Sequence, residues 1–225
     1  MQNLKTRSLL GFINLFFVLC ILLFLPAWSF NYWEAWLYLF VFFTPVLLIT
    51  VYFLKKNPKL IERRLKAGPS AEKRFSQKMI QVFASLFFIL ILLFPGFDHS
   101  LNWSHVPFLI VIISDIVIKI GFVIVFYAFK ENSFVSAIIE VASDQKVITT
   151  GGYSIVRHPM YSGALLLLFF TPVALGSWYA LVFVIPMVVV IILRLNDEEE
   201  LLLKSLPGYK EYCRKVQCRL IPYIW

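Results

Sequence analysis

Arg157, His158 and Tyr161 lie in the segment Gly151-Gly152-Tyr153-Ser154-Ile155-Val156-Arg157-His158-Pro159-Met160-Tyr161, and the apolar run that follows closes with Arg194 and Glu198-Glu199-Glu200. These side chains can do recognition chemistry. An Arg binds a carboxylate or phosphate through a planar, bidentate fork, and a Glu suits ribose hydroxyls or an ammonium group. Pro159 disfavours helical geometry at His158 and suits the first turn of a helix. A helix starting there puts His158 near its N-cap, Arg157 just outside and Tyr161 in the first turn. Amide N–H groups without intrahelical partners lie beside them, an environment that favours anions. Arg194 and Glu198, four apart, share one helical face.

Each residue also has a plain structural account. Arg157 and Arg194 could anchor helix ends, His158 could be a satisfied cap, and Glu198–Glu200 could be a solvated charge run. Their convergence on one membrane face decides for a site, because polar groups gathered at the mouth of a membrane helix have few purely structural explanations.

The elements that position them belong to a membrane protein. The 225 residues are 60% hydrophobic and 17% aromatic, with a mean hydropathy of +0.80, whereas soluble domains are about 45–50% apolar. Runs long enough for the hydrocarbon core fall at Leu9–Pro26, Ala35–Leu54, Met79–Phe97 and Val106–Phe129. The run from Tyr161 to Leu193 exceeds one span, and Gly176-Ser177 breaks it into a hairpin of two short helices. Pro172 and Pro186 are tolerable within a bundle. The fold class is an all-α integral membrane protein with five to six transmembrane helices: six, or five if the hairpin is re-entrant. Residues 1–130 read as a four-helix membrane region and 131–225 as a site-bearing core, integrated into one domain.

Charge orients the chain. Lys55, Lys56, Lys59, Arg63, Arg64, Lys66, Lys73, Arg74 and Lys78 follow the second span, while the turns Pro26–Glu34, Asp98–His105 and Gly176–Trp178 contain no Lys or Arg. The positive-inside rule then puts both termini and the site on the cytosolic side of the cell's inner membrane. The first span reads as a signal-anchor, since no small-x-small cleavage site follows it. Anionic lipid headgroups account for the net charge of +8 better than nucleic acid does. Cys20, Cys213 and Cys218 indicate neither a disulfide framework nor a metal site. His99 and His105 lack a metal-binding pattern. Asp115 and Lys119, four apart within the fourth span, read as a mutually neutralising pair facing the bundle, with a polar path as the alternative. Beyond Pro207-Gly208, Tyr209, Tyr212 and Val216 line one side of an amphipathic tail helix expected on the membrane surface. Neither soluble nucleotide-binding signature is present.

Gly-x-Tyr-x-x-x-Arg-His-Pro-x-Tyr at 151–161, Arg-x-x-x-Glu-Glu at 194–199, and Leu-Pro-Gly-Tyr-x-x-Tyr with Arg-Leu-Ile-Pro at 206–222 together resemble the isoprenylcysteine carboxyl methyltransferase family. The likeness is to its bacterial and archaeal branch, related more distantly to phospholipid N-methyltransferases, and covers 132–225. It implies an S-adenosylmethionine-dependent methyltransferase. Cofactor contacts would fall on Gln145, Lys146, Val147, Ile148, Tyr153, His158, Pro159, Met160, Tyr161 and Glu198, and Arg194 would hold the carboxylate of a prenylated or lipid-like acceptor. Gln145 departs from the eukaryotic pattern, which has a His there.

That chemistry is coherent with the residues. Methyl transfer to an ionised carboxylate needs alignment and exclusion of water but no base. An amine acceptor, as in a phospholipid N-methyltransferase, must lose a proton, and Glu199 is the first suspect for taking it. A reading of another class is a non-enzymatic transporter or scaffold.

Overall fold

The computed structural model describes residues 2–72, 74–141 and 145–225; Lys73, one of the basic loop residues above, lies outside them. Every regular element among the described residues is helical. In chain order these are α1 (Gln2–Ala27), α2 (Trp33–Lys56), α3 (Pro58–Leu65), α4 (Phe75–Leu101), α5 (Phe108–Glu131), α6 (Pro159–Ala174), α7 (Val184–Ser205) and α8 (Tyr209–Lys215). Helices α1, α2, α4, α5 and the unit Tyr179–Ser205, a 3₁₀ turn continuous with α7, are long and apolar enough to cross a membrane. The protein is an all-α integral membrane protein.

The hairpin forms where glycine permits it. Gly176 adopts φ +77°, the left-handed region that costs glycine little. The turn is fastened to the far end of the bundle: Tyr32 Oη donates to the Leu175 carbonyl at 2.5 Å, the Trp178 amide donates to Ser104 Oγ at 3.0 Å, and the Ser177 hydroxyl donates to buried Asp98. The 16-residue α6, about 24 Å long at 1.5 Å per residue, therefore runs the depth of the bundle beside the longer helices. It is shorter than the five helices that are long and apolar enough to cross a membrane.

Helix α6 lies tightly against α5, and two glycines make the approach possible. A Cβ on Gly163 would stand 2.7 Å from the Gly121 carbonyl oxygen, and one on Gly121 would stand 2.9 Å from that of Gly163. In lipid, where hydrophobic burial drives little helix association, such small-residue contacts carry packing. One apolar cluster joins α1, α2, α5 and α6 through Leu19, Leu23, Tyr38, Ile118 and Ala174. A second joins α4, α6 and α7 through Ile91, Tyr161, Met187 and Leu195.

Two sequence expectations need correction. Asp115 is buried with neither carboxylate oxygen hydrogen-bonded, whereas Lys119 is exposed and forms no ion pair with it. One helical turn lets a pair share a face, but the lysine's long stem carries its ammonium outward while the short Asp side chain stays inside. The tail helix α8 also differs. Its apolar side, Tyr209, Tyr212 and Val216, is buried against Ala128, Tyr153, Leu202 and Leu206, so it faces the protein and not the lipid.

Candidate active site

The two halves of the expected site meet where α6 begins and α7 ends. Pro159 occupies the first turn of α6, and His158 precedes it with φ −128°, as the restriction on a residue before proline requires. The strand-like tail locks this entry: the Arg157 and His158 amides donate to the carbonyls of Cys218 and Arg219, both at 3.0 Å, and Ser162 Oγ donates to Leu220 O at 2.6 Å. The expected free amides at the helix start are thus partly taken by the chain itself.

Glu199 ties these pieces together. Arg157 Nε lies 2.7 Å from its Oε1, Arg219 Nε 3.0 Å from its Oε2 and His158 Nε2 3.2 Å from its Oε1. The carboxylate is 5% exposed and fully committed. Its neighbour Glu198, turned to the other side of α7, accepts the Tyr161 hydroxyl at 2.8 Å.

A cavity enclosing about 840 Å³, its mouth included, opens between α6, α7, α8 and the connector 132–150. Gln145, Lys146, Val147, Ile148, Tyr153, His158, Met160, Tyr161, Arg194 and Glu198 all line it. Pro159 does not; it is buried behind the wall, packed near Gly152. Glu199 does not line it either. The role of general base is at odds with that position, because a base must reach the proton it removes and Glu199 is turned toward Arg157, Arg219 and His158.

Burial raises the Tyr153, Tyr209 and Tyr212 phenols well above their ordinary value, so at neutral pH each stays protonated and able to donate. Tyr212 Oη donates to the Tyr153 carbonyl at 2.7 Å. The Tyr209 hydroxyl is buried without a partner on the cavity wall. A buried orphan donor costs stability unless something accepts from it, and this one suits a polar ligand group. Aromatic and aliphatic walls (Phe134, Val147, Ile148, Leu201, Leu206) with the Glu198 carboxylate fit a ligand that combines a flat apolar base, hydroxyls and positive charge.

Several residues that contact the site's walls come from the first half of the chain, where the sequence shows no recognisable motif. Arg63 Nη1 donates to Ser133 O at 3.0 Å and Arg64 Nη1 to Ser136 O at 3.2 Å, bracing the connector. Arg64 also stacks over Phe129, 5.1 Å from the ring centre, and burial lowers its pKa. Arg194 Nη1 donates to Glu72 Oε1 and Gln77 Oε1 at 3.0 and 3.1 Å. Helix α3 carries a visible start signal: Asn57 accepts from the Leu60 amide and Pro58 occupies the first turn. Its arginines nevertheless read as lipid-facing, since nothing local distinguishes an arginine that turns inward.

Residues 109–208, running from α5 to the start of the tail, match the family model described as phospholipid methyltransferase. Delta(14)-sterol reductase TM7SF2 of Mus musculus is 30% identical over 90 residues, 39% of this chain and 22% of that protein. The chain therefore spans about a fifth of that curated relative's length. The family match, which contains α6, α7 and the connector between α5 and α6, supports a membrane methyltransferase.

Proposed function

We propose that the protein is an integral membrane methyltransferase that uses S-adenosylmethionine and acts on the carboxyl group of a lipid-like or prenylated acceptor at the cytosolic face. The observation that carries the cofactor reading is the gathering of Tyr153, His158, Tyr161, Glu198 and the Gln145–Ile148 strip around one cavity, beside an unpartnered phenol, Tyr209. Glu198 would meet ribose hydroxyls or the cofactor's positive charge, Tyr161 would hold that carboxylate in place, and Tyr209 would donate to a polar edge. The phospholipid and sterol in the two matched names support an acceptor of lipid type.

When bound, the cofactor supplies a methyl group on a sulfonium: the acceptor–carbon bond forms as the carbon–sulfur bond breaks, and the electron pair stays on sulfur. A carboxylate acceptor releases no proton. The chain's task is then alignment, which supplies several kcal/mol at the right geometry, and shielding from water by α8 and the connector.

A second reading, transfer to a phospholipid amine, is favoured by the state of Arg194, whose donors are largely committed to protein groups. An amine must lose a proton, and among the described residues the carboxylates lining the cavity are Glu140 and Glu198.

Binding of labelled S-adenosylmethionine to wild type, His158→Ala, Glu198→Ala and Tyr209→Phe tests the cofactor reading. Specific binding by wild type that weakens in the variants is expected, and its absence in wild type refutes the proposal. Treating methylated products with alkali separates ester from amine: an alkali-stable methyl group removes the carboxyl reading.

A further inference from the structure

Arg194 already holds a carboxylate. Its Nη1 donates to Glu72 Oε1 and Gln77 Oε1, its Nη2 to the Ala137 carbonyl at 2.7 Å, and its Nε to Tyr161 Oη at 3.1 Å. A guanidinium has five N–H donors, and these contacts leave one, on Nη2. A bidentate grip needs two parallel N–H groups aimed at one carboxylate. None of the edges offers both.

Glu72 is the group in the way. It precedes α4, is 3% exposed, and its Oε2 accepts from the Ile139 amide at 3.3 Å. Among the described residues Arg194 is its ion-pair partner. Ala137 and Ile139, the two connector residues held by this pair, flank Ile138 on the cavity wall, and Arg194 itself lines that cavity. A carboxylate from the first half of the chain thus occupies the guanidinium that faces the ligand space.

We propose that Glu72 is a specificity-determining residue: a resident carboxylate on Arg194 that an acceptor's own carboxylate must displace. This rests on the methyltransferase reading with Arg194 as the acceptor contact. The incoming carboxylate takes over the ion pair but leaves buried Glu72 without its counter-charge, a cost that the rest of the acceptor must offset. An acceptor with both an anion and a long apolar tail can displace Glu72, since burial of the tail adds favourable free energy with each CH₂. A small soluble carboxylate cannot. An acceptor with an amine headgroup has nothing to offer Arg194 and leaves the pair intact. After displacement Glu72 keeps its bond from the Ile139 amide, which lowers that cost without removing it.

Glu72→Gln removes the competing charge while keeping an acceptor oxygen for Ile139. The experiment measures S-adenosylmethionine binding first, then methyl transfer to N-acetyl-S-farnesylcysteine as a carboxylate probe and to phosphatidylethanolamine vesicles as an amine probe. The expected result is unchanged cofactor affinity, a KM for the carboxylate probe lower by about tenfold, the worth of one competing charge-assisted hydrogen bond, and no gain with the amine probe. An unchanged or raised KM overturns the proposal, as does a carboxylate probe that neither protein methylates. If Glu72→Gln fails to fold, Glu72→Asp, which keeps the charge and lengthens the contact, must lower the KM by a smaller factor; no decrease overturns the proposal equally. Failure of wild type to bind S-adenosylmethionine is a separate result and sinks the underlying reading instead.

Discussion

The Tyr161 hydroxyl donates to Glu198 at 2.8 Å. The same oxygen accepts from Arg194 Nε at 3.1 Å, so a single phenol couples the cavity carboxylate to the guanidinium that Glu72 neutralises. The two charges come from neighbouring turns of α7, and only a residue from the first turn of α6 stands between them. Arg194 and Glu198 are four apart on one helix, yet no ion pair forms between them, and the tyrosine contacts both instead.

Tyr161→Phe tests that coupling. It deletes a donor to Glu198 and an acceptor for Arg194 at once, leaving two charged groups each short of a bond, a loss of about 1–3 kcal/mol. Arg194 keeps Glu72, Gln77 and Ala137, so the fold should survive. The affinity for S-adenosylmethionine, measured by titration in detergent, should fall by about tenfold, the equivalent of 1.4 kcal/mol. An unaltered affinity would show that Glu198 does not depend on this phenol to meet the ligand.

Glu199 should behave as a clamp and not as a base. Glu199→Gln leaves Arg157, whose side chain is 10% exposed, buried without its counter-charge, and breaking such a pair costs about 3–5 kcal/mol. Arg219, at 31% exposure, is screened and adds little. The variant should unfold several degrees below wild type, and limited proteolysis should cut its tail near 216–220 sooner. The shape of its pH–rate profile should not change. Intact thermal stability together with a lost basic-group limb in that profile would return Glu199 to the role of proton acceptor.

Much of this arrangement was legible in the sequence, and what was missed has a common physical origin. Apolar runs set the helices, the Lys/Arg bias marked one face, and Pro159 and Gly176 fixed where α6 begins and where the hairpin turns. These are local signals: each depends on a few adjacent residues. Which side of a helix turns inward is not local in the same way. Glu198 and Glu199 are adjacent and chemically identical, yet the roughly 100° step between neighbours sends one to the cavity and the other to Arg157, His158 and Arg219. Arg64 lies in the last turn of α3 and Glu72 just before α4, neither within a site motif, and only the tertiary fold brings them to Arg194 and the connector. The tail helix shows the same limit, since an amphipathic face announces that it will be covered but not whether lipid or protein will cover it.

The α5–α6 contact should be the least tolerant part of the bundle. At Gly163 an added Cβ meets not only the Gly121 carbonyl but also Val125 Cγ2 at 2.9 Å and Ile124 Cβ at 3.3 Å, so neither side chain nor backbone can yield cheaply. Gly163→Val should force the helices apart, costing about 1–3 kcal/mol or more by overpacking, and move Tyr161, two residues away, off Glu198. Reduced recovery of folded protein and loss of cofactor binding are expected together. Normal yield with full binding would mean that the helices are free to slide, contrary to the close packing described.

Asp115 invites the opposite outcome. Asp115 is 4% exposed, both oxygens lack hydrogen bonds, and Lys119, exposed one turn on, offsets the desolvation cost only in part. It lies in the first third of α5, toward the end away from Asn132 on the cavity wall, and does not line the cavity. Replacing it with leucine, of similar reach and without polar atoms, should raise stability by about 1–3 kcal/mol, the penalty of a buried unsatisfied polar group, and leave methyl transfer unchanged. Thermal unfolding of Asp115→Leu beside wild type reads the first effect and an activity assay the second. If the variant is instead less stable, the carboxylate has an acceptor or donor that only the membrane-embedded protein supplies; if it is stable but inactive, a polar path through the bundle, the alternative raised for this residue by its position in a span, becomes the better account of it.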